Sequence, residues 1–278
     1  MLLTRHERAR GARWALDGRY LPERFDLRLL LELRHSATTG FLRGVVGTNP
    51  ATGPLLAPLE STTEVWAAGV TYKRSREARE EESAVRDVYA KVYEAERPEL
   101  FMKAVGWRVS GHQMPIRIRE DSRWNVPEPE LTLVVNAHGE IIGYCVGNDV
   151  SSREIEGENP LYLPQAKIYD GSCALGPGIA LVDSPTLSAL AIRLAVLRDE
   201  RVVFQGETST SEITRPLQAL VDALRKELSF PQGVFLMTGT GIVPPSDFSL
   251  QGGDVVRIEI GELTLENEVD RRPRGVER

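Results

Sequence analysis

Two glutamates separated by a single proline, Glu128 and Glu130, stand at the entry to the apolar run Leu131–Val135, within the stretch WNVPEPEL. Alternate residues of a strand share a face, so the two carboxyls lie on one side with Cα atoms about 6.5–7 Å apart. A second apolar run, Ile141–Gly147, follows the turn Asn136–Glu140 and reads as the partner of a hairpin. With a four-residue loop, Ala137–Glu140, Asn136 faces Ile141, Val134 faces Gly143 and Glu128 faces Asp149. A loop one residue shorter or longer sends Asp149 to the opposite face. Three carboxylates meeting in a β-rich core repel one another, and a divalent cation relieves them. Oxygen-only ligation selects a hard ion, Mg²⁺ first, then Mn²⁺ or Ca²⁺. A lone E-x-E pair is ordinarily two exposed strand residues. Here Pro127 and Pro129 bracket Glu128 and remove ladder donors, which fits a sheet rim.

Other residues carry chemistry less plainly. Glu99 follows Pro98 at the end of a charged segment, where a solvated glutamate is the ordinary finding. Lys103, after Leu100-Phe101-Met102, either snorkels or points at an anionic ligand, and we assign it to substrate binding. Lys167 lies between Ala166 and Ile168. Thr238-Gly239-Thr240-Gly241 is a glycine-rich turn that also offers hydroxyls and backbone donors. Cys145 and Cys173 sit in apolar surroundings and read as inert core thiols.

These residues need a scaffold, and the pattern gives a β-rich one. Val65–Val70, Ile179–Asp183, Ala191–Arg198, Arg201–Gln205 and Gly253–Glu262 read as further strands, and Arg215–Leu228 as an amphipathic helix. Arg74–Arg97 is highly charged with one apolar stripe. It reads as a helix, and also as a candidate lid over whatever Val65–Val70 supports. The clearest punctuation is Gly47–Pro58, which predicts a small N-terminal module, 1–58, ahead of a main domain, 59–278. Regular βαβ alternation is absent. The expected class is α+β, strand-dominated, with peripheral helices.

Composition narrows the setting. The chain has 278 residues, with 34 Lys+Arg against 40 Asp+Glu for a net charge of −6, and 41% apolar residues. That balance supports a sizeable core and gives no field for nucleic acid or anionic lipid. No apolar run approaches the roughly 20 residues of a membrane span. Two cysteines and a start without an apolar leader point to the cytoplasm.

The segments PEPEL, GYCVGNDVSSR, QAKIYDGSCALGP and TGTGIVPP together resemble the fumarylacetoacetate hydrolase superfamily, over about Ala67 to Val269. ERPELFMK and ENPLYLPQAKIYDGSCALGP are most similar to its 2-keto-3-deoxy-sugar-acid dehydratases, typified by 2-keto-3-deoxy-D-arabinonate dehydratase. The resemblance implies a mixed β-roll, a Mg²⁺ ion on Glu128, Glu130 and Asp149, and an active-site lysine at Lys167. It implies acid/base work at Glu99, a carboxylate clamp at Thr240 and a homo-oligomer, dimer or tetramer. Arg76, in the lid, is placed to hold distal hydroxyls or the carboxylate. The carbon–carbon hydrolases of the superfamily carry a lid histidine in an N-Y-x-x-H-A pattern. This chain reads Thr71-Tyr72-Lys73-Arg74-Ser75-Arg76 there, and its four histidines, His6, His35, His112 and His138, all lie elsewhere.

The expected reaction is therefore Mg²⁺-dependent dehydration of a 2-keto-3-deoxy pentonate to a 2,5-dioxo acid, through a metal-held enolate. The nearest rival is an acylpyruvase or diketo-acid hydrolase, for which His112 is the candidate base. A non-catalytic metal- or keto-acid-binding protein is the alternative from another class.

Overall fold

The hairpin bearing the acidic residues lies in the middle of the larger sheet, and the rest of the architecture explains why it can be buried there. The computed structural model describes residues 1–9, 11–74, 95–182 and 184–270. The chain begins with β1 (Leu2–Arg8), β2 (Gly11–Leu16), β3 (Arg19–Tyr20), helices α1 (Leu27–Leu31) and α2 (His35–Val45), and β4 (Leu55–Leu56). Next come β5 (Glu64–Gly69), β6 (Glu99–Val105), β7 (Asn125–Val126), β8 (Pro129–Val135), β9 (Ile141–Asp149) and β10 (Ser151–Ser152). Two short helices, α3 (Arg153–Glu158) and α4 (Leu163–Lys167), lead into β11 (Cys173–Leu181). The remainder is β12 (Ala191–Arg198), β13 (Arg201–Ser209), α5 (Leu217–Leu224), β14 (Val234–Met237), β15 (Val255–Ile260) and β16 (Leu263–Glu268).

Among the described residues, one sheet has ten strands in the order β3-β2-β1-β11-β9-β8-β14-β5-β6, with β4 on β1. A second has the order β13-β12-β15-β16, and β7 pairs with β10. β14 runs parallel to β5 and antiparallel to β8. This is the strand-dominated α+β class that the sequence implies. No helix among the described residues is long and apolar enough to cross a membrane.

Strands β8 and β9 are buried along their whole length because both faces of the large sheet are covered. On one face Leu131, Leu133 and Val146 pack with Ile192, Leu194 and Val256 of the second sheet and Leu220 of α5. On the other, Val134, Cys145 and Phe235 meet Leu3, Trp14, Leu30 and Leu42. The N-terminal residues thus share a sheet and a core with the rest of the chain, since β1 pairs with β11 at Leu2↔Ala180 and Leu3↔Ile179. The Gly47–Pro58 stretch returns as β4 onto β1.

The hairpin register is the one that brings the carboxylates together. Val134 pairs with Gly143, Glu130 with Gly147 and Pro129 with Asn148, and the Asp149 N–H donates to the Glu128 carbonyl at 3.0 Å. The tip differs from expectation. A bulge between Val134 and Val135 pairs Val135, not Asn136, with Ile141. Asn136 instead closes the turn, its Oδ1 accepting from the N–H groups of His138 and Glu140, with Gly139 in the left-handed region at φ +80°. The helix expected at Arg215–Leu228 forms over its apolar middle only, starting after Pro216. Residues 75–94, most of the charged segment and candidate lid, lie outside the described residues, as do residues 271–278 of the tail.

Candidate active site: a buried cluster of carboxylates and ammonium groups

Glu130 on β8 and Glu128 just before it point to one side, and Asp149 ends β9 beside them. One oxygen from each lies within 4.8 Å of the others, and all three side chains are buried. The local backbone is fixed from both sides. The Glu128 N–H donates to Asn148 Oδ1 at 3.2 Å, and β10 pairs with β7 to carry the chain away from Asp149. Ser152 then caps α3 by accepting from the Ile155 N–H, which places Arg153 at the first helical position.

Cations meet these carboxylates in a definite pattern. Lys167, the last residue of α4, donates from Nζ to Glu128 Oε2 at 2.8 Å, Asp149 Oδ2 at 3.0 Å and Ser151 Oγ at 2.7 Å. Ser151 Oγ in turn donates to the Asp149 carbonyl at 2.9 Å, so every donor of the lysine has an acceptor. Arg153 Nη2 pairs with Glu128 Oε1 at 2.9 Å, and its Nη1 lies 3.7 Å from Glu156 Oε2. Glu130 takes the Gly239 N–H at 2.6 Å. Burial and the neighbouring charges of Asp149 and Glu128 push its carboxyl well above the usual carboxylate range.

This imbalance is the test of metal fit. Lys103, Arg153 and Lys167 answer Glu128, Asp149 and Glu156, and the charge of Glu130 is left to be met. Three buried carboxylates and no nitrogen or sulfur donor suit a hard divalent cation. The residues fit Mg²⁺.

The cavity in front of the cluster is lined by Ala68, Gly69, Val70, Glu99, Phe101 and Glu156 as well as the three carboxylates, Lys167, Gly239 and Thr240. The expected residues Glu99, Lys167 and Thr240 are therefore brought together. Lys103 is not. It is fully buried, and its ammonium faces Asp149 Oδ1 at 2.5 Å, the Val150 carbonyl at 3.2 Å and the Lys167 carbonyl. The acceptors of the protein itself have claimed it, so it does not line the cavity. Arg76 lies outside the described residues. His112 also stands apart, its Nδ1 accepting from the Glu266 N–H at 3.2 Å, with burial pushing its pKa down. Arg153 and Glu156 are additions to which sequence reading assigned no role, and the Gly239 N–H, a backbone donor of the glycine-rich turn, meets Glu130.

The wall of the cavity at the end of β5 is unusual backbone. Val70 sits at φ +52°, a left-handed conformation that costs a β-branched residue about 1–3 kcal/mol. The following residue is pinned from two sides. Thr71 Oγ1 donates to the Thr238 carbonyl at 2.5 Å, and the Thr71 carbonyl accepts from Thr214 N and Oγ1. Gly69 pairs with Glu99 across β5 and β6, and the glutamate folds over the space that a side chain would occupy. A Cβ at residue 69 would lie 2.2 Å from Glu99 Oε2. Gly69→Ala is thus expected to displace the Glu99 carboxyl and, given the acid/base role that the resemblance implies for Glu99, to lower kcat about 100-fold. Mg²⁺ titration of the folded variant should be unchanged, and an unaltered kcat would show that Glu99 is not positioned this way.

Comparison with known proteins decides the family. Residues 64–270 match the model of the fumarylacetoacetate (FAA) hydrolase C-terminal domain. The chain belongs to the fumarylacetoacetate hydrolase family. Among its relatives in that family, a probable 2-keto-3-deoxyxylonate dehydratase of Haloferax volcanii is 49% identical over 210 residues, covering 74% of this chain and 72% of the relative. The 2-dehydro-3-deoxy-D-arabinonate dehydratase of Saccharolobus solfataricus is 42% identical over 215 residues, covering 75% and 72%. Among solved structures, a 2-keto-3-deoxy-D-arabinonate dehydratase complexed with magnesium and 2,5-dioxopentanoate superposes with a TM-score of 0.84 at 33% identity, over 99% of this chain and 100% of that one. The hexagonal form of 2-keto-3-deoxyarabinonate dehydratase gives 0.86 at 34% identity with the same coverage. The expected fold and family are those found.

Proposed function

We propose that this fumarylacetoacetate hydrolase family member dehydrates a 2-keto-3-deoxy pentonate to a 2,5-dioxo acid with Mg²⁺. The observation that carries the reading is the make-up of one cavity: three carboxylates fit for a metal, Lys167 and Glu99, with no histidine among its lining residues. The relatives named as dehydratases of such acids support it. Bound at Glu128, Glu130 and Asp149, Mg²⁺ supplies Lewis-acid polarisation of a 2-keto acid. The residues of the chain do the rest. Glu99 takes the proton from C3. Lys167, with all three N–H groups matched to acceptors, is held as an ammonium group and gives a proton to the departing C4 oxygen. The C3–H and C4–O bonds break and water leaves. Further proton transfers carry the C5 alcohol, through its enol, to the aldehyde. Thr240, which lines the same cavity, is assigned to hold the carboxylate or a hydroxyl.

Hydrolysis of a carbon–carbon bond would require an activated water. His112, the nearest sequence candidate for that role, is committed to the Glu266 backbone away from the cavity. A coupled assay separates the readings. The protein should convert 2-keto-3-deoxy pentonates to a semialdehyde oxidised by an added dehydrogenase, should stop on chelation of the metal, and should release no pyruvate from acylpyruvates. Pyruvate release faster than any dehydration would overturn the reading, and neither product would indicate a binding protein. The same reading proposes a cytoplasmic homo-oligomer, dimer or tetramer, which light scattering on the purified protein would test.

A further inference from the structure

Each of the three clustered carboxylates has one oxygen engaged by a different donor of the chain. Asp149 Oδ1 faces the Lys103 ammonium at 2.5 Å, Glu128 Oε1 faces Arg153 Nη2 at 2.9 Å, and Glu130 Oε2 accepts the Gly239 N–H at 2.6 Å. The other oxygens of the set are Asp149 Oδ2, Glu128 Oε2 and Glu130 Oε1. Lys167, which unlike Lys103 and Arg153 lines the cavity, spans the first two of these at 3.0 and 2.8 Å, so a metal entering from the cavity would share them with its ammonium. The shortest of the three contacts is the ion pair of Lys103. It is a fully buried lysine on β6 whose ammonium also donates to the Val150 carbonyl, just after β9, and to the Lys167 carbonyl at the end of α4. It therefore ties three elements together around one oxygen of Asp149.

Denticity matters to metal choice. Mg²⁺ is small, takes six oxygens and commonly keeps several waters, so it accepts one oxygen per carboxylate. Ca²⁺ is larger, takes six to eight, and gains from carboxylates that bind through both oxygens. We propose that Lys103, Arg153 and the Gly239 N–H hold Asp149, Glu128 and Glu130 to single-oxygen ligation and so select Mg²⁺ or Mn²⁺ over Ca²⁺. Lys103 acts here as a positioning residue. It works through Asp149 and touches neither metal nor substrate. The inference rests on the reading of this cluster as the metal site of the proposed dehydratase.

The test reads affinity, not turnover. Chelator-stripped protein is titrated with Mg²⁺, Mn²⁺ and Ca²⁺ by calorimetry, for wild type, Lys103→Met and Lys103→Arg. Wild type should bind Mg²⁺ and Mn²⁺ more tightly than Ca²⁺. Lys103→Met should free Asp149 Oδ1 and shrink the Mg²⁺/Ca²⁺ affinity ratio about tenfold, the usual scale for loss of a partner behind a ligand. Lys103→Arg, which keeps the charge and the donors, should restore most of the ratio. Both ions carry two charges, so removal of the lysine charge shifts their affinities together, and the ratio isolates denticity. Arg153→Met, which removes the guanidinium from Glu128 Oε1, carries the same expectation should Lys103→Met not fold. Equal wild-type affinity for Mg²⁺ and Ca²⁺ would overturn the inference, as would an unchanged ratio in a folded Lys103→Met or Arg153→Met. A chain that discriminates between these ions yet forms no semialdehyde would refute the dehydratase reading and leave this one standing.

Discussion

Glu130→Gln is expected to abolish metal-dependent turnover while making the metal-free protein more stable. The two effects have one origin. Glu130 is buried, and among the described contacts it is met by the Gly239 N–H and by no cation of its own. Burial and the charges of Asp149 and Glu128 raise its pKa far above the ordinary carboxylate value. A carboxyl whose folded-state pKa is raised binds protons more tightly in the native state than in the unfolded one. Its contribution to stability is therefore fully present below the unfolded pKa and is lost as pH rises toward the folded value. At neutral pH the metal-free wild type carries that penalty, and the glutamine variant does not. Melting in EDTA should accordingly show a higher Tm for Glu130→Gln at pH 7, with the gap closing as the buffer is made acidic. Added Mg²⁺ should reverse the order, because a ligand that binds only the folded state raises the Tm of the protein that binds it. Turnover should fall by at least about 100-fold, the scale seen when a preorganised electrostatic group is removed from an active site. A variant that melts lower than wild type in EDTA at pH 7 would show that Glu130 is already compensated without metal.

Asp149 is predicted to behave in the opposite way, which sharpens the contrast. Both of its oxygens face ammonium groups, those of Lys103 and Lys167. Neutralising it would leave a fully buried lysine without its carboxylate, which is destabilising by about 3–5 kcal/mol in buried pairs.

The parts of this site that the sequence discloses and the parts it hides differ for physical reasons. The meeting of Glu128, Glu130 and Asp149 follows from period-two alternation and a hairpin close in sequence. It survives an unforeseen bulge because that bulge lies at the tip, where Asn136 absorbs the extra residue. Lys103 is different. A lysine after Leu100-Phe101-Met102 reads the same whether its ammonium meets a ligand or the protein. What settles the matter is the arrival of Asp149, Val150 and Lys167 from distant parts of the chain. Arg153 stood in the motif GNDVSSR without a role, although three converging buried carboxylates demand more positive charge than Lys167 alone can supply. Gly69 gave no signal, since its purpose is to leave room for Glu99, thirty residues later on the neighbouring strand. The same limit applies to residues 1–58. Proline and glycine at Gly47–Pro58 mark a turn, but only the pairing of β1 with β11 reveals which sheet the turn serves.

The division of labour between Glu99 and Lys167 yields the remaining strong prediction. Lys167→Arg keeps a cation against Glu128 and Asp149, and an arginine side chain stays protonated throughout the working range. It should therefore preserve folding and Mg²⁺ binding while failing as a proton donor. Dehydration should fall by about 10²–10⁴-fold, the range for loss of a positioned acid or base. Removal of the C3 proton is a separate event assigned to Glu99. Exchange of the methyl protons of pyruvate in D₂O, followed by NMR with Mg²⁺ present, isolates it because pyruvate has no C4 hydroxyl to lose. Wild type and Lys167→Arg should both exchange, whereas Glu99→Gln should neither exchange nor dehydrate. The geometry argues for this order of roles. Lys167 spends all three N–H bonds on Glu128, Asp149 and Ser151, which favours the charged, proton-rich form, while Glu99 enters the cavity from β6, apart from the three clustered carboxylates. Exchange that persists in Glu99→Gln and vanishes in Lys167→Arg would invert the assignment and make Lys167 the base. In that event the lysine would have to rest as a neutral amine between two carboxylates, although all three of its N–H positions are matched to acceptors.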